Sequence, residues 1–146
     1  MSDTISFSPY LMFNGCCEEA MQCYARNLDG EITYMGTYGE SPMADQASNK
    51  DKIMHASLQF EGGTIMGSDH MDAASYTTDG SSSNIHLSLT FHDLSKMTTV
   101  FNGLKEDGEV TMEIEEQFWG DQFGMLTDKF GIHWMLSCRK EGQDEG

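Results

Sequence analysis

The sequence predicts an α+β fold in which two tandem βαβββ modules form open, curved β-sheets. Three observations point there. A pentapeptide occurs once in each half, as Asp29-Gly-Glu-Ile-Thr33 and as Asp107-Gly-Glu-Val-Thr111. Each copy follows an amphipathic stretch with apolar residues at helical spacing, and that stretch follows a short alternating run. Polar, glycine-containing segments then separate further β-rich runs in the same order in both halves.

In the first half, residues 8–14 alternate and end in Asn14-Gly15, which suits a short strand and a turn. Residues 16–28 place Cys17, Ala20, Met21, Tyr24 and Leu28 on one helical face. Asn14 or Cys16 is expected near the N-cap, with Glu18 and Glu19 in the first turn, where the helix dipole favours negative charge. Asp29-Gly30 then ends the helix. Residues 31–38 read as a strand, and 39–51, with Pro42, as a loop. Residues 53–60 and 64–68 read as a hairpin turning at Glu61-Gly62-Gly63.

The second half repeats this as strand 84–91, helix 93–106, strand 109–114, loop 115–121 and hairpin 123–138. The expected organisation is a module over 1–74, a linker over 75–83, a module over 84–140 and an acidic tail over 141–146, all within one structural domain. Each sheet would bury one face under its helix and satisfy its edges by joining a second sheet into an open barrel.

Composition narrows the function classes. The 146 residues carry 8 Lys+Arg against 24 Asp+Glu, a formal net charge of −16. Such a surface repels phosphate backbones, so neither nucleic acid nor an anionic membrane is an expected partner. No apolar run approaches the ~20 residues of a membrane span. The opening MSDTISFSPY has no basic and apolar leader pattern, so the expected location is cytoplasmic. Of the 4 cysteines, Cys16 and Cys17 are adjacent, Cys23 follows and Cys138 is remote. No CxxC occurs, which argues against a disulfide scaffold or a zinc knuckle. Cys16 and Cys17 open a helix, a setting that lowers a thiol pKa; the alternative is two small buried side chains.

Alternation sorts the strand residues onto two faces. Met54, Ala56, Leu58 and Phe60 oppose His55, Ser57 and Gln59. Ile85, Leu87, Leu89 and Phe91 oppose His86, Ser88 and Thr90, while Ile132, Trp134 and Leu136 oppose His133, Met135 and Ser137. The apolar faces should pack under the helices. The polar faces, each with one histidine, would line a small-molecule site. Phe118 and Trp119 would form an aromatic lid, or else seal the barrel or a subunit contact. Glu115, Glu116, Asp121 and Asp128 include candidate general bases that spacing does not single out. His70 and His92 fall in turns and are expected to be solvated.

The order of elements resembles the vicinal-oxygen-chelate superfamily (glyoxalase, bleomycin resistance, dioxygenase). In detail the sequence is similar to its PhnB-like branch, the 3-demethylubiquinone-9 3-methyltransferase-like domain. The segments that carry the likeness are Pro9-Tyr-Leu-Met-Phe-Asn-Gly15, Glu18-Glu19-Ala20, Tyr24, Met54-His-Ala56, Met66-Gly-Ser-Asp69 and the long run Phe118 to Met135. The methyltransferase label has no counterpart in the residues, because no glycine-rich strand-to-helix turn is followed by an acidic ribose-binding position.

Superfamily enzymes hold a divalent ion with His and Glu from the first and last strands of both modules. By resemblance these positions fall on His86, on Ser8 or Pro9, on Met135, and on Met66 or Gly67. A catalytic site needs about three protein ligands, so no metal or other cofactor is expected; a divalent ion, if one binds, would use His86 and His55. The resemblance also implies a C2 homodimer with pockets near its interface.

Three functions follow. The lost ligands favour a small-molecule-binding protein of this superfamily without the usual catalytic metal site, using His55, Ser57, Gln59, His86, Ser88, Phe118, Trp119, His133 and Met135. A metal-dependent lyase, isomerase or dioxygenase would need a rearranged set of His55, His86 and His133. A non-catalytic interaction module would present its acidic surface. The sequence does not decide whether the chain is an enzyme.

Overall fold

The computed structural model describes residues 5–41, 50–70 and 84–139. The expected linker 75–83 and tail 141–146 lie outside the described residues. The first half comprises β1 (Tyr10–Phe13), α1 (Cys17–Leu28), β2 (Glu31–Thr37), a 3-10 turn (Tyr38–Glu40), β3 (Ile53–Phe60) and β4 (Gly63–Asp69). The second comprises β5 (Leu87–Phe91), α2 (Leu94–Leu104), β6 (Glu109–Glu116), β7 (Gln122–Thr127) and β8 (His133–Cys138). The chain divides into two compact units, Met1–Thr77 and Thr78–Gly146.

Both units are built alike. Strand order is β1-β4-β3-β2 in the first sheet and β5-β8-β7-β6 in the second. The outer pairs β1–β4 and β5–β8 are parallel, and the others are antiparallel hairpins or ladders. Each helix crosses its sheet from the first strand of its unit to the second, which runs in the same direction at the opposite edge. This is the α+β architecture of two βαβββ modules that the repeat implies.

One face of each sheet is sealed by its helix. Cys17, Ala20, Met21 and Tyr24 of α1 are fully buried, as are Ala56 and Leu58 of β3, against which that helix packs. In the second unit Met97, Val100, Phe101 and Leu104 of α2 are buried, with Leu126, Trp134 and Leu136 from β7 and β8. Side chains of this size each contribute about 2 kcal/mol when removed from water. Trp134 also needs a partner for its indole N–H, and Asp128 Oδ2 accepts it at 2.9 Å. Asp128 Oδ1 takes the amides of Phe130 and Ile132, so this carboxylate is spent on shaping the β7–β8 turn.

The repeated pentapeptide is the helix exit. Asp29 and Asp107 both have positive φ, 58° and 60°. Asparagine and aspartate tolerate this left-handed conformation better than most residues. The glycine that follows lies against the neighbouring hairpin. A Cβ on Gly30 would sit 2.8 Å from the Gln59 carbonyl oxygen, and one on Gly108 would press into the Thr127 carbonyl and lie 2.9 Å from Asp128 Cα.

The N-cap of α1 is Cys16, one of the two expected positions, and it makes no side-chain capping bond. The acceptor comes instead from the far end of the sheet. Buried Asp69, the last residue of β4, takes the amides of Gly15 (3.0 Å) and Cys17 (2.9 Å) on Oδ1 and that of Ile53 (2.9 Å) on Oδ2. Its own carbonyl accepts the Tyr38 hydroxyl at 2.8 Å. A sequence-local search for a cap could not reach a residue so distant in the chain. In the second unit the cap is local: Asp93 accepts from the Ser95 amide at 3.0 Å.

Candidate functional site

Opposite the helices, each sheet presents its other face. Charge is nearly absent there: β1, β3, β4, β5, β7 and β8 contain one charged residue, Asp69, which points to the helix side. The carboxylates of the helix-free faces stand on the edge strands, Glu31 opposite Gln59, Glu109 opposite Thr127 and Glu115 opposite Phe123.

In the first unit His55 is the centre of an aromatic group. Tyr10 reaches it from β1, with ring centroids 5.6 Å apart and the Tyr10 hydroxyl 2.9 Å from His55 Nδ1. Tyr34 of β2 meets it from the other side at 5.8 Å. Tyr34 lies across Gly36, where a Cβ would fall 2.5 Å from the tyrosine hydroxyl. Ser57 pairs with both Tyr34 and Met66, and Gln59 sits nearer the hairpin turn, beside Thr64. Met12 accepts a contact from the Ser68 hydroxyl at 3.3 Å and completes a surface of aromatic, thioether and hydroxyl groups.

Sequence alternation does not put Tyr34 on this face. A bulge between Ile32 and Tyr34 reverses the phase of β2. The second unit has a bulge at the corresponding place, between Val110 and Met112, and it turns Met112 toward Met125. The signal is invisible to a period of two because the extra residue resets the period.

In the second unit His86 and His133 stand side by side, with ring centroids 5.1 Å apart. His86 immediately precedes β5, whose Leu87 is in register with Trp134. Thr127 Oγ1 lies 2.8 Å from His133 Nδ1 and fixes that ring. Met135 pairs with Ser88 on one side and Met125 on the other. Phe118 and Trp119 pack edge to face at 4.8 Å in the β6–β7 connection. They are 97% and 47% exposed, at the Gln122 end of β7, whereas the histidine pair lies at its Thr127 end. About five strand residues, roughly 17 Å, separate the two ends.

Elsewhere the chemistry is muted. Cys17 is fully buried and its thiol is pushed up to about 12, first by burial and then by the neighbouring Asp69 carboxylate. That overturns the activated-thiol reading for Cys17; the helix start that would favour a thiolate is already satisfied by a carboxylate. Burial also raises Cys138, with Asp93 and Asp121 adding like charge. Asp128 is engaged in its turn and is no general base. His92 is exposed as expected, but His70 is only half-exposed, with Nε2 buried. A cleft of about 470 Å³ at the start of α2 is lined by His92, Glu116 and Arg139 among others, and holds none of the sequence-predicted ligand residues.

The residues at the superfamily metal positions do not fit a divalent centre. His86 supplies an imidazole, but Met135 offers a thioether, Met66 or Gly67 at best another, and Ser8 or Pro9 no useful donor. Zinc and its neighbours take thiolate, imidazole or carboxylate. Among the described residues no group of three or more His, Cys, Asp and Glu side chains is placed to hold a metal ion. His55, the other expected donor, belongs to the first unit, where its neighbours are tyrosines.

Two βαβββ units with one open face each have the glyoxalase/bleomycin-resistance fold. Solved structures of that class match the chain at 16% and 15% identity with TM-scores of 0.63 and 0.55, a likeness of fold alone. Within the class, the chain belongs to the family described as 3-demethylubiquinone-9 3-methyltransferase, whose model matches residues 5–137. Protein YjdN of Escherichia coli is 33% identical over 92% of this chain and 95% of its own. The crystal structure of protein PA1353 from Pseudomonas aeruginosa matches with a TM-score of 0.83 at 38% identity, over 94% of this chain and all of that one. A putative 3-demethylubiquinone-9 3-methyltransferase, PhnB protein, from Bacillus cereus matches with a TM-score of 0.77 at 27% identity, over 92% and 99%. Among the described residues no helix is long and apolar enough to cross a membrane.

Proposed function

We propose that this protein binds a planar, largely apolar small molecule against the helix-free strand faces, as a cytoplasmic homodimer and without the divalent centre of superfamily enzymes. The observation that carries this is the distribution of charge. A chain with a net charge of −16 keeps six strands free of charge except for the buried Asp69, and it offers Tyr10, Tyr34, His55 and several methionines on open faces. Aromatic and thioether groups supply area and adaptability, while a few hydroxyls and imidazoles orient the ligand.

Methyl transfer has little support as the activity. The two strand-to-helix turns are where a cofactor's anionic or ribose group would meet helix amides. Here Asp69 and Asp93 already take those amides, and their negative charge opposes such a group.

The test is a thermal-shift and NMR screen of planar aromatic compounds on the full chain. Hits should move the methyl resonances of Met12, Met66, Met125 or Met135 and weaken in Tyr34→Ala, whose ring is 52% exposed and so contributes little to the core. Hits that map only to the cleft beside His92 and Arg139 would sink the reading.

A further inference from the structure

The first unit holds a histidine with one ring nitrogen engaged and the other open. Tyr10 Oη lies 2.9 Å from His55 Nδ1, and the rings of Tyr10 and Tyr34 flank the imidazole at 5.6 and 5.8 Å. The other nitrogen, Nε2, has no hydrogen-bond partner among the described residues and is not buried. We infer that His55 Nε2 is a hydrogen-bond donor held ready on this face, and that the ligand of the first unit is a planar ring compound with an uncharged carbonyl oxygen at its edge. This rests on the proposed reading of the helix-free faces as ligand surfaces, and it names the class of ligand.

The Tyr10 contact sets the proton. A neutral imidazole has one N–H and one bare nitrogen, and the bond made at one nitrogen decides the state of the other. A phenolic O–H is a good donor, whereas the phenol oxygen is a weak acceptor because its lone pair is delocalised into the ring. Tyr10 therefore donates to Nδ1, and the imidazole proton resides on Nε2. Tyr10 is thus a positioning residue that fixes both the ring and its tautomer.

The surroundings choose the acceptor. The four strands of this sheet contain no lysine or arginine, and Lys52, just before β3, donates to the Gly15 carbonyl at 2.8 Å beside the start of α1. A carboxylate or phosphate would find no cation in these strands and would meet the repulsion of a net charge of −16. A neutral carbonyl needs only the N–H. Tyr10 and Tyr34 are 44% and 52% exposed, and Met66 stands in register with Tyr10 on one side and Ser57 on the other. Flat aromatic area and a thioether therefore lie beside the donor. An apolar ring that covers Nε2 without an acceptor strips it of water and leaves a donor unpaired, and that penalty selects for the carbonyl.

The experiment titrates full-length protein with fluorenone and with fluorene, two flat tricyclic molecules that differ at one carbon, a carbonyl in the first and a methylene in the second. Shifts of the Met12 and Met66 methyl resonances report binding to this face. The ratio of the two affinities should favour fluorenone about fivefold more in the parent than in His55→Phe, which keeps a ring at that position. Before any ligand is added, nitrogen spectra of the histidine rings at about pH 8, above the ordinary imidazole range, should show the His55 proton on Nε2. In Tyr10→Phe the form protonated on Nδ1 should appear beside it. A proton on Nδ1 in the parent, or an affinity ratio that His55→Phe leaves unchanged, overturns this inference and leaves the broader reading standing. Failure of both compounds to move either methyl also overturns the carbonyl assignment, and the reading beneath it falls if the wider aromatic screen fails as well.

Discussion

Replacing Asp69 by alanine removes the acceptor shared by the start of α1 and the start of β3. Three amides lose their partner, Gly15 and Cys17 at 3.0 and 2.9 Å and Ile53 at 2.9 Å, in a place where the carboxylate is 1% exposed. A buried donor left unpaired costs about 1–3 kcal/mol. Gly15 is only part-buried and water will satisfy its amide, so the sum is about 4 kcal/mol rather than the maximum. Asparagine keeps one oxygen but turns an amide N–H toward one of the donors, a loss of about 2 kcal/mol. Asp93→Ala provides the comparison: it removes one exposed local cap, worth about 1 kcal/mol. At roughly 3 °C per kcal/mol for a chain of this length, melting should fall by about 12 °C for Asp69→Ala, 6 °C for Asp69→Asn and 3 °C for Asp93→Ala. Calorimetry gives the order, and amide exchange at Cys17 and Ile53 tests whether the opened bonds are the named ones. An Asp69→Ala protein that melts within a degree or two of Asp93→Ala would refute the claim that this carboxylate joins helix to sheet.

Other consequences are equally direct. Gly108→Ala should destabilise by about 1–3 kcal/mol in urea titration, because its Cβ meets the Thr127–Asp128 backbone rather than a movable side chain. Gly36→Ala should change stability less, since only the Tyr34 ring must give way, but it should weaken any planar ligand of the first unit in the same binding assay. Cys17 sets an alkaline limit. Its thiol ionises near 9.0 when unfolded and near 12 when folded, so the folded state holds the proton more tightly. Stability is complete below pH 9 and is lost as pH rises from 9 to about 12, at about 1.4 kcal/mol per pH unit. Cys17→Ala should flatten that part of the pH–stability curve, and an unchanged slope would contradict the assignment.

What was legible in the sequence followed from period and repetition. The Asp-Gly-Glu repeat marked the helix exits, since a left-handed Asp followed by a closely packed Gly is a local requirement. Alternation separated His55 and Ser57 from Ala56 and Leu58, because the extra residue opposite Leu58 and Ser57 lies in β2 and leaves that part of β3 in phase. It separated His133 and Met135 from Trp134 and Leu136, because β8 pairs with β5 and β7 without a register shift. What was hidden depended on long-range register. Asp69 reads as the end of a strand until the parallel pairing of β1 with β4 brings it beneath α1. Tyr34 and Met112 change faces through bulges that composition does not announce. The His86–His133 pair needs the β5–β8 register, which depends on residues far apart in the chain.

That same register exposes how the two units have diverged. Phe13 pairs with Asp69, and Phe91 pairs with Cys138, so Cys138 stands where the first unit keeps its capping carboxylate. The second unit has moved the carboxylate to Asp93, directly at the helix start. Position 138 is buried and already flanked by Asp93 and Asp121, and burial first and then their like charge raise the Cys138 thiol. Cys138→Asp alone should therefore cost about 3 kcal/mol, as a third carboxylate is forced into a buried acidic corner. Made in an Asp93→Ala background, the same substitution should restore an acceptor for the helix, so the double variant should be more stable than the sum of the singles by about 1 kcal/mol or more. A urea-titration cycle over the four proteins measures that coupling. Additive costs would mean that Cys138 and Asp69 share a register but not a role, and that the second helix does not depend on where its anion comes from.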